Sequence, residues 1–166
     1  MTIQTLFGPE TITTKPRSIK FKTIKAIYET LTIKEEIGHY FEPGTRFTSP
    51  LQIFNMFSFL ANETKEHFIT LHLDGKNKIV CIDQVSTGSL NQSIVHPREV
   101  FKTALLSSAA AIVLLHNHPS GDPAPSREDR EITRRLKEAG DLLGIRVLDH
   151  MIVGDTYMSF VEMGLL

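Results

Sequence analysis

Four side chains that could act together in catalysis lie within a stretch of fourteen residues. His116 and His118 are separated by one residue, and Ser126 and Asp129 follow after a loop rich in proline. Two neutral imidazoles and one carboxylate, with a fourth position left open, are the ligands of a catalytic zinc site. The spacing therefore predicts that His116, His118 and Asp129 bind zinc.

The elements on either side of this stretch should hold the ligands together. Residues 110–115 are uncharged and apolar, which is typical of a strand buried on both faces. Residues 126–143 are charged but carry apolar residues at helical spacing. Because side chains alternate along a strand, His116 and His118 should point the same way, and Asn117 should take a structural position on the opposite side. A carboxylate on the first turn of the helix would then complete the site.

Hydrophobic periodicity and turn signals predict alternating helices and strands along the rest of the chain. From residue 50 the predicted order is helix, strand, strand, helix, strand, helix, strand, strand. This order indicates an α/β fold, with a mixed β-sheet flanked by helices on both faces. The predicted helices are residues 50–62, 97–107 and 126–143, and the predicted strands are residues 68–73, 79–85, 110–115, 145–153 and 157–161.

Ser126 has two interpretations that the local sequence leaves open. The segment Ser-Arg-Glu-Asp at 126–129 resembles a capping box, in which the serine accepts a hydrogen bond from a backbone amide and the acid bonds back. The usual acid in that motif is Glu or Gln, so Asp129 is an imperfect match. A structural role, a catalytic role and a combination of the two all remain possible for Ser126.

Composition excludes several classes of protein. The chain has 166 residues, of which 41% are hydrophobic, enough to bury the core of one main domain. A net charge of −1 gives no overall attraction to nucleic acid, and the single cysteine, Cys81, excludes a disulfide framework. No apolar run approaches the length of a membrane span, and the N-terminus lacks the features of a signal peptide. We therefore expect a cytoplasmic protein with no membrane association.

The spaced pattern of His116, His118, Ser126 and Asp129 resembles the JAMM signature of JAB/MPN metalloproteases. Together with the segments Ser-Leu-Asn-Gln-Ser-Ile-Val-His-Pro-Arg-Glu-Val-Phe and Leu-Asp-His-Met-Ile-Val-Gly, it makes residues 46–166 similar to the RadC-like branch of that family. The resemblance implies a cytidine-deaminase-like α/β fold. It also implies that the two histidines and the aspartate bind zinc, while the serine helps to hold the reacting oxygen.

The resemblance further implies a glutamate at the start of an upstream strand, which activates the zinc-bound water. Glu66, immediately before the strand predicted at 68–73, is the matching position, and Glu63 is the competing candidate. The implied activity is hydrolysis of peptide or isopeptide bonds, with a ubiquitin-like or other protein as a possible partner.

The first 45 residues are expected to form a short helical or irregular extension, and residues 46–166 the JAMM domain. Longer members of the family have an N-terminal region with helix-hairpin-helix character. That character is not recognisable in residues 1–45, so nucleic-acid binding stays an open question. The alternative function is a non-catalytic accessory protein in DNA repair, or one associated with DNA, that retains a zinc site.

Two other metalloenzyme classes share some of these ligands. A zinc deaminase is excluded because it needs cysteine ligands in a pair, and this chain has one cysteine. Two histidines and one carboxylate also bind iron in oxygenases. Those iron sites lie on all-β barrels, whereas this chain alternates strands with helices.

Overall fold

The computed structural model describes residues 45–88 and 95–166, together with residue 27 and two short strands near the N-terminus. Those strands, β1 (Ile3–Thr5) and β2 (Gly8–Glu10), pair with each other in antiparallel orientation. Apart from these strands and residues 27 and 45, the predicted extension at residues 1–45 lies outside the described residues, so its character stays a prediction. In the part of the chain that the structure describes, no helix combines the length and apolar composition needed to span a membrane.

The main unit is a mixed five-stranded sheet. Its strands are β3 (His67–Leu73), β4 (Ile79–Thr87), β5 (Ala111–Asn117), β6 (Arg146–Val153) and β7 (Tyr157–Ser159). They lie in the order β4-β3-β5-β6-β7, in which β5 and β6 are parallel and the other neighbouring pairs are antiparallel. The helices are α1 (Pro50–Phe57), which continues into a 3-10 turn (Ser58–Asn62), α2 (Pro97–Leu106) and α3 (Arg127–Leu143).

Helices cover both faces of this sheet, as the sequence predicts. Buried residues of α1, including Ile53 and Met56, pack on one face against β3, β5 and β6. Buried residues of α2 and α3, including Phe101 and Leu136, pack on the other face. The predicted α/β fold and the order of its elements are therefore confirmed.

Strand β5 lies at the centre of the sheet, and all seven of its residues are buried. It runs two residues beyond the predicted strand and includes His116 and Asn117. The backbone amide of His118 donates to the carbonyl of Val153 at 2.8 Å, which continues the pairing with β6 by one more residue. The alternation of side chains therefore extends as far as His118.

The loop from β5 to α3 is held against the turn that follows β6. The amide of Asp155 donates to the carbonyl of Gly121 at 2.8 Å. A Cβ atom added to Gly154 would lie 2.1 Å from the same carbonyl oxygen, so only glycine permits this approach of the two backbones. The loop that links the two ligand-bearing elements is thus fixed by backbone contacts.

We predict that Gly154→Ala destabilises the protein by about 1–3 kcal/mol, because the new methyl group must displace the backbone of the loop. Gly75→Ala is the matched control, since a Cβ at Gly75 meets nothing within 4 Å. Its effect should stay within about 1 kcal/mol. Urea unfolding followed by circular dichroism measures both variants, and equal midpoints would contradict the close packing of this loop.

Candidate metal centre

The structure brings the three predicted ligands together at the end of β5 and the start of α3. His116 Nε2 lies 3.2 Å from Asp129 Oδ1, and His118 Nε2 lies 3.4 Å from Asp129 Oδ2. The two Nε2 atoms are 3.1 Å apart. One ligand atom from each residue can be chosen so that all three lie within 4.8 Å of one another. This separation allows a single metal ion to contact all three.

The loop determines which nitrogen of His118 is available. His118 Nδ1 lies 2.7 Å from the backbone carbonyl oxygen of Asp122, which can only accept a hydrogen bond. Nδ1 therefore carries a proton, and Nε2 is the nitrogen that faces Asp129 and would bind a metal. A metal-ligating histidine ordinarily makes this kind of bond with its other nitrogen.

Asp129 is a buried carboxylate, and the start of α3 supplies two of its donors. Its Oδ2 accepts hydrogen bonds from the amide of Ser126 at 2.8 Å and from the hydroxyl of Ser126 at 2.6 Å. Burial raises the pKa of Asp129, but its contacts with His116, His118 and Ser126 outweigh burial and hold the pKa well below its usual range. The group is therefore an anion at neutral pH.

The donor set of the cluster fits a zinc ion. Two imidazole nitrogens and one carboxylate are zinc ligands, and here these ligand atoms converge on one small volume. The hydrogen bond to Asp129 raises the pKa of His118, which reflects the attraction of this cluster for a positive charge. Burial lowers the pKa of His116, and this favours the neutral imidazole that a metal requires.

A cavity of about 490 Å³ opens beside the cluster. The residues lining it are Glu66, His118, Pro119, Ser120, Ser126, Glu128 and Asp129. Both predicted catalytic residues, Glu66 and Ser126, thus face the same cavity as two of the three predicted ligands. The charge of Glu66 also raises the pKa of both ligand histidines, though it is not the main influence on either.

Strand pairing explains why Glu66, rather than Glu63, reaches this cavity. In the antiparallel pairing of β3 with β5, Phe68 lies opposite His116. The same register continued by two residues brings Glu66 alongside His118. Glu63 does not line the cavity, and its carboxylate lies 3.7 Å from the ring of His67.

Asn117 ties the segment that carries Glu66 to the strand that carries the ligands. The side chain of Asn117 is fully buried. Its Nδ2 donates to the carbonyls of Leu60 and Lys65, both at 3.0 Å, and its Oδ1 accepts from the amide of His67 at 2.8 Å. These bonds hold the backbone on both sides of Glu66, in agreement with the structural role expected for Asn117.

Ser126 does form a capping box with Asp129. Its hydroxyl accepts from the amide of Asp129 at 3.0 Å, while Asp129 Oδ2 accepts from both the amide and the hydroxyl of Ser126. The shorter side chain of aspartate is therefore sufficient for the return bond. The hydroxyl also lines the cavity, so its structural role leaves a catalytic one open.

Sequence reasoning left the role of His150 undetermined and did not single out Thr133, and both residues lie buried beside the cluster. His150 Nε2 lies 2.8 Å from His116 Nδ1, and His150 Nδ1 lies 2.5 Å from the hydroxyl of Thr133. Burial holds the pKa of His150 well below its usual range, so its ring is neutral. The segment Leu-Asp-His-Met-Ile-Val-Gly, which is part of the resemblance to the RadC-like family, is the signal that marked His150.

Asp149 has a structural role in the same strand. It accepts hydrogen bonds from the hydroxyl of Ser159 at 2.6 Å and from the amides of His150 at 2.8 Å and Val161 at 3.1 Å. These bonds join β6 to β7 and to the segment that follows it.

Comparison with known proteins agrees with this architecture. The sequence matches the model of the RadC-like JAB domain over residues 47–165. This chain belongs to the RadC-like JAB domain family.

Relatives in the family are closely similar to this chain over part of their length. The chain is 68% identical over 123 residues to a UPF0758 protein of Trichlorobacter lovleyi, covering 73% of this chain and 54% of that protein. It is 64% identical over 123 residues to a UPF0758 protein of Geobacter sulfurreducens, with the same coverage. Identity to a UPF0758 protein of Methanosarcina mazei is 53% over 125 residues, covering 74% and 55%. The chain thus spans about half the length of these curated relatives.

We predict that the protein binds one zinc ion per chain and that His116→Ala abolishes binding. Loss of the hydrogen-bond partner of a ligand lowers metal affinity about 10- to 100-fold. Loss of the ligand itself should lower zinc affinity by more than that. His96→Asn is the control, because His96 caps α2 outside the cluster and asparagine can keep that cap. Equilibrium dialysis with metal analysis measures both variants, and unchanged binding by His116→Ala would remove His116 from the ligand set.

Proposed function

We propose that this protein is a zinc-dependent hydrolase of peptide or isopeptide bonds, with zinc held by His116, His118 and Asp129. The observation that carries the proposal is the position of Glu66, a carboxylate outside the ligand set that lines the same cavity as two of the ligands. Membership in the RadC-like JAB domain family supports a hydrolase in general terms.

Zinc in this position would polarise a scissile carbonyl and lower the pKa of a coordinated water. Glu66 is the proposed general base, which takes a proton from the attacking water and passes it to the leaving amine. Asn117 holds the backbone on both sides of Glu66, through Lys65 and His67, and so limits the movement of this carboxylate. Both proton transfers require such a fixed position.

Ser126 is the proposed donor to the oxyanion that forms on the substrate. Its hydroxyl has one proton, and this proton makes a hydrogen bond to Asp129 Oδ2 at 2.6 Å. Donation to the substrate therefore requires the hydroxyl to rotate away from Asp129. The backbone amide of Ser126 also donates to Oδ2, so Asp129 keeps one partner from the helix start while the hydroxyl turns.

The lining of the cavity favours an amide substrate over a phosphodiester. Among the residues that the structure describes around the cavity, none is a lysine or an arginine, whereas Glu66 and Glu128 are acidic. Phosphate groups are ordinarily bound by cationic side chains, and two carboxylates would repel them. A peptide or isopeptide bond is uncharged and meets no such repulsion.

We predict that Glu66→Gln lowers the rate of hydrolysis at least about 100-fold, because glutamine keeps the size of the side chain but not its basicity. Zinc content should not change, since no ligand is lost. The matched control is Glu63→Gln, which should retain activity. The zinc-loaded proteins are incubated with an unfolded peptide mixture and with lysine-branched isopeptides. Newly formed amino groups are then identified by mass spectrometry.

Two results would contradict the proposal in different ways. Activity that is lost in Glu63→Gln but kept in Glu66→Gln would show that Glu63, and not Glu66, is the base. Cleavage that is absent from the zinc-loaded wild-type protein, or equal in wild type and Glu66→Gln, would favour a non-catalytic accessory protein with a zinc site.

A further inference from the structure

A buried line of hydrogen bonds connects the backbone of α3 to the ring of His116. The hydroxyl of Thr133 lies 2.5 Å from the carbonyl oxygen of Asp129 and 2.5 Å from His150 Nδ1. His150 Nε2 lies 2.8 Å from His116 Nδ1. The side chains of Thr133, His150 and His116 are all buried, with Thr133 2% exposed and both rings at 0%.

The direction of each bond follows from the number of protons available. A backbone carbonyl only accepts, so Thr133 gives its single hydroxyl proton to Asp129. Thr133 must then accept from His150, which places the proton of that ring on Nδ1. The His150 ring is 0% exposed, and its two nitrogens face a hydroxyl and an imidazole rather than a carboxylate, so a second proton would place an unpaired charge in the interior. With its one proton on Nδ1, the ring accepts from His116 Nδ1 at Nε2.

We infer that Thr133 and His150 are positioning residues that select the tautomer of His116. With its proton held on Nδ1, His116 presents a lone pair on Nε2, towards His118 and Asp129. The opposite tautomer would place a proton in the volume where the three ligands meet. This inference rests on the proposed ligand set, but not on any catalytic activity.

Aromatic packing orients the two rings but does not choose the position of the proton. Phe68 stacks on His116 with ring centroids 6.0 Å apart, and Phe160 stacks on His150 at 4.9 Å. Phenyl rings offer these histidines no conventional acceptor for the N–H group. The choice of tautomer therefore depends on the buried hydrogen bonds that run from His116 through His150 and Thr133 to the carbonyl of Asp129.

The test compares three substitutions. Thr133→Val keeps the volume of the side chain but removes the acceptor for His150 Nδ1. The proton of His150 can then move to Nε2 and donate to His116, whose own proton is forced onto Nε2. Zinc affinity, measured by competition with a chelator, should fall about 10- to 100-fold, as for other residues that support a metal ligand. Thr133→Ser restores the hydroxyl, and its zinc affinity should stay within about threefold of wild type, well below that range.

Thr70→Val is the matched control for the loss of a buried threonine–histidine hydrogen bond. Thr70 is fully buried, and its hydroxyl lies 3.0 Å from His72 Nε2, outside the metal cluster. Zinc affinity should be unchanged in this variant even if its stability falls as much as that of Thr133→Val.

The tautomer itself is read from long-range proton–nitrogen NMR correlations of the histidine rings in the metal-free protein. The inference requires His116 to carry its proton on Nδ1 in the wild type and on Nε2 in Thr133→Val. A wild-type His116 protonated on Nε2 would overturn it, as would a folded Thr133→Val with wild-type zinc affinity. A wild-type protein that binds no zinc would contradict the proposed function, while the NMR measurement would still decide the tautomer.

Discussion

The buried carboxylate of Asp129 is the group on which the rest of the site depends. An unpaired charge in the interior is costly, so the surrounding structure must supply partners for it. The capping box of α3 supplies an amide and a hydroxyl, and the positive end of the helix dipole lies at the same place. The oxygen lone pairs that remain face His116 and His118. The same contacts that begin the helix therefore also orient the carboxylate of the proposed metal ligand.

The two ligand histidines are supported from different parts of the fold. His118 is oriented by the backbone of the loop at Asp122, and this loop is held by contacts with the turn after β6. His116 is oriented by His150 of β6. A backbone carbonyl supports one ring and a buried side chain supports the other, which is the kind of support that a preorganised metal site needs.

Strand β5 connects the metal cluster to the proposed base, because its two faces each contribute one side chain to the site. His116 points to the face covered by α2 and α3, where it packs against Phe68. Asn117 points the other way and bonds to the backbone around Glu66. A displacement of β5 would therefore move the two ligand histidines and the proposed base together, which preserves their relative position.

The sequence by itself determined the features that depend on short-range geometry. His116 and His118 lie on one side of a single strand because side chains alternate, and Ser126 and Asp129 form a capping box within one helical turn. The order of helices and strands was equally readable, because the apolar block of β5 and the amphipathic pattern of α3 differ clearly.

Only the tertiary structure decided the contacts that depend on strand register. Glu66 reaches the cavity because Phe68 pairs with His116 in antiparallel orientation, and a different register would have brought another residue beside His118. His150 lies beside His116 because β6 pairs in parallel with β5 and places His150 opposite Leu114. Leu114 is two residues before His116 and so shares its face of the strand. The hydrophobic pattern of a strand decides which of its faces is buried and so limits the register, but the partner of a strand that lies far away in the chain is decided by packing. No local pattern in the sequence names that partner.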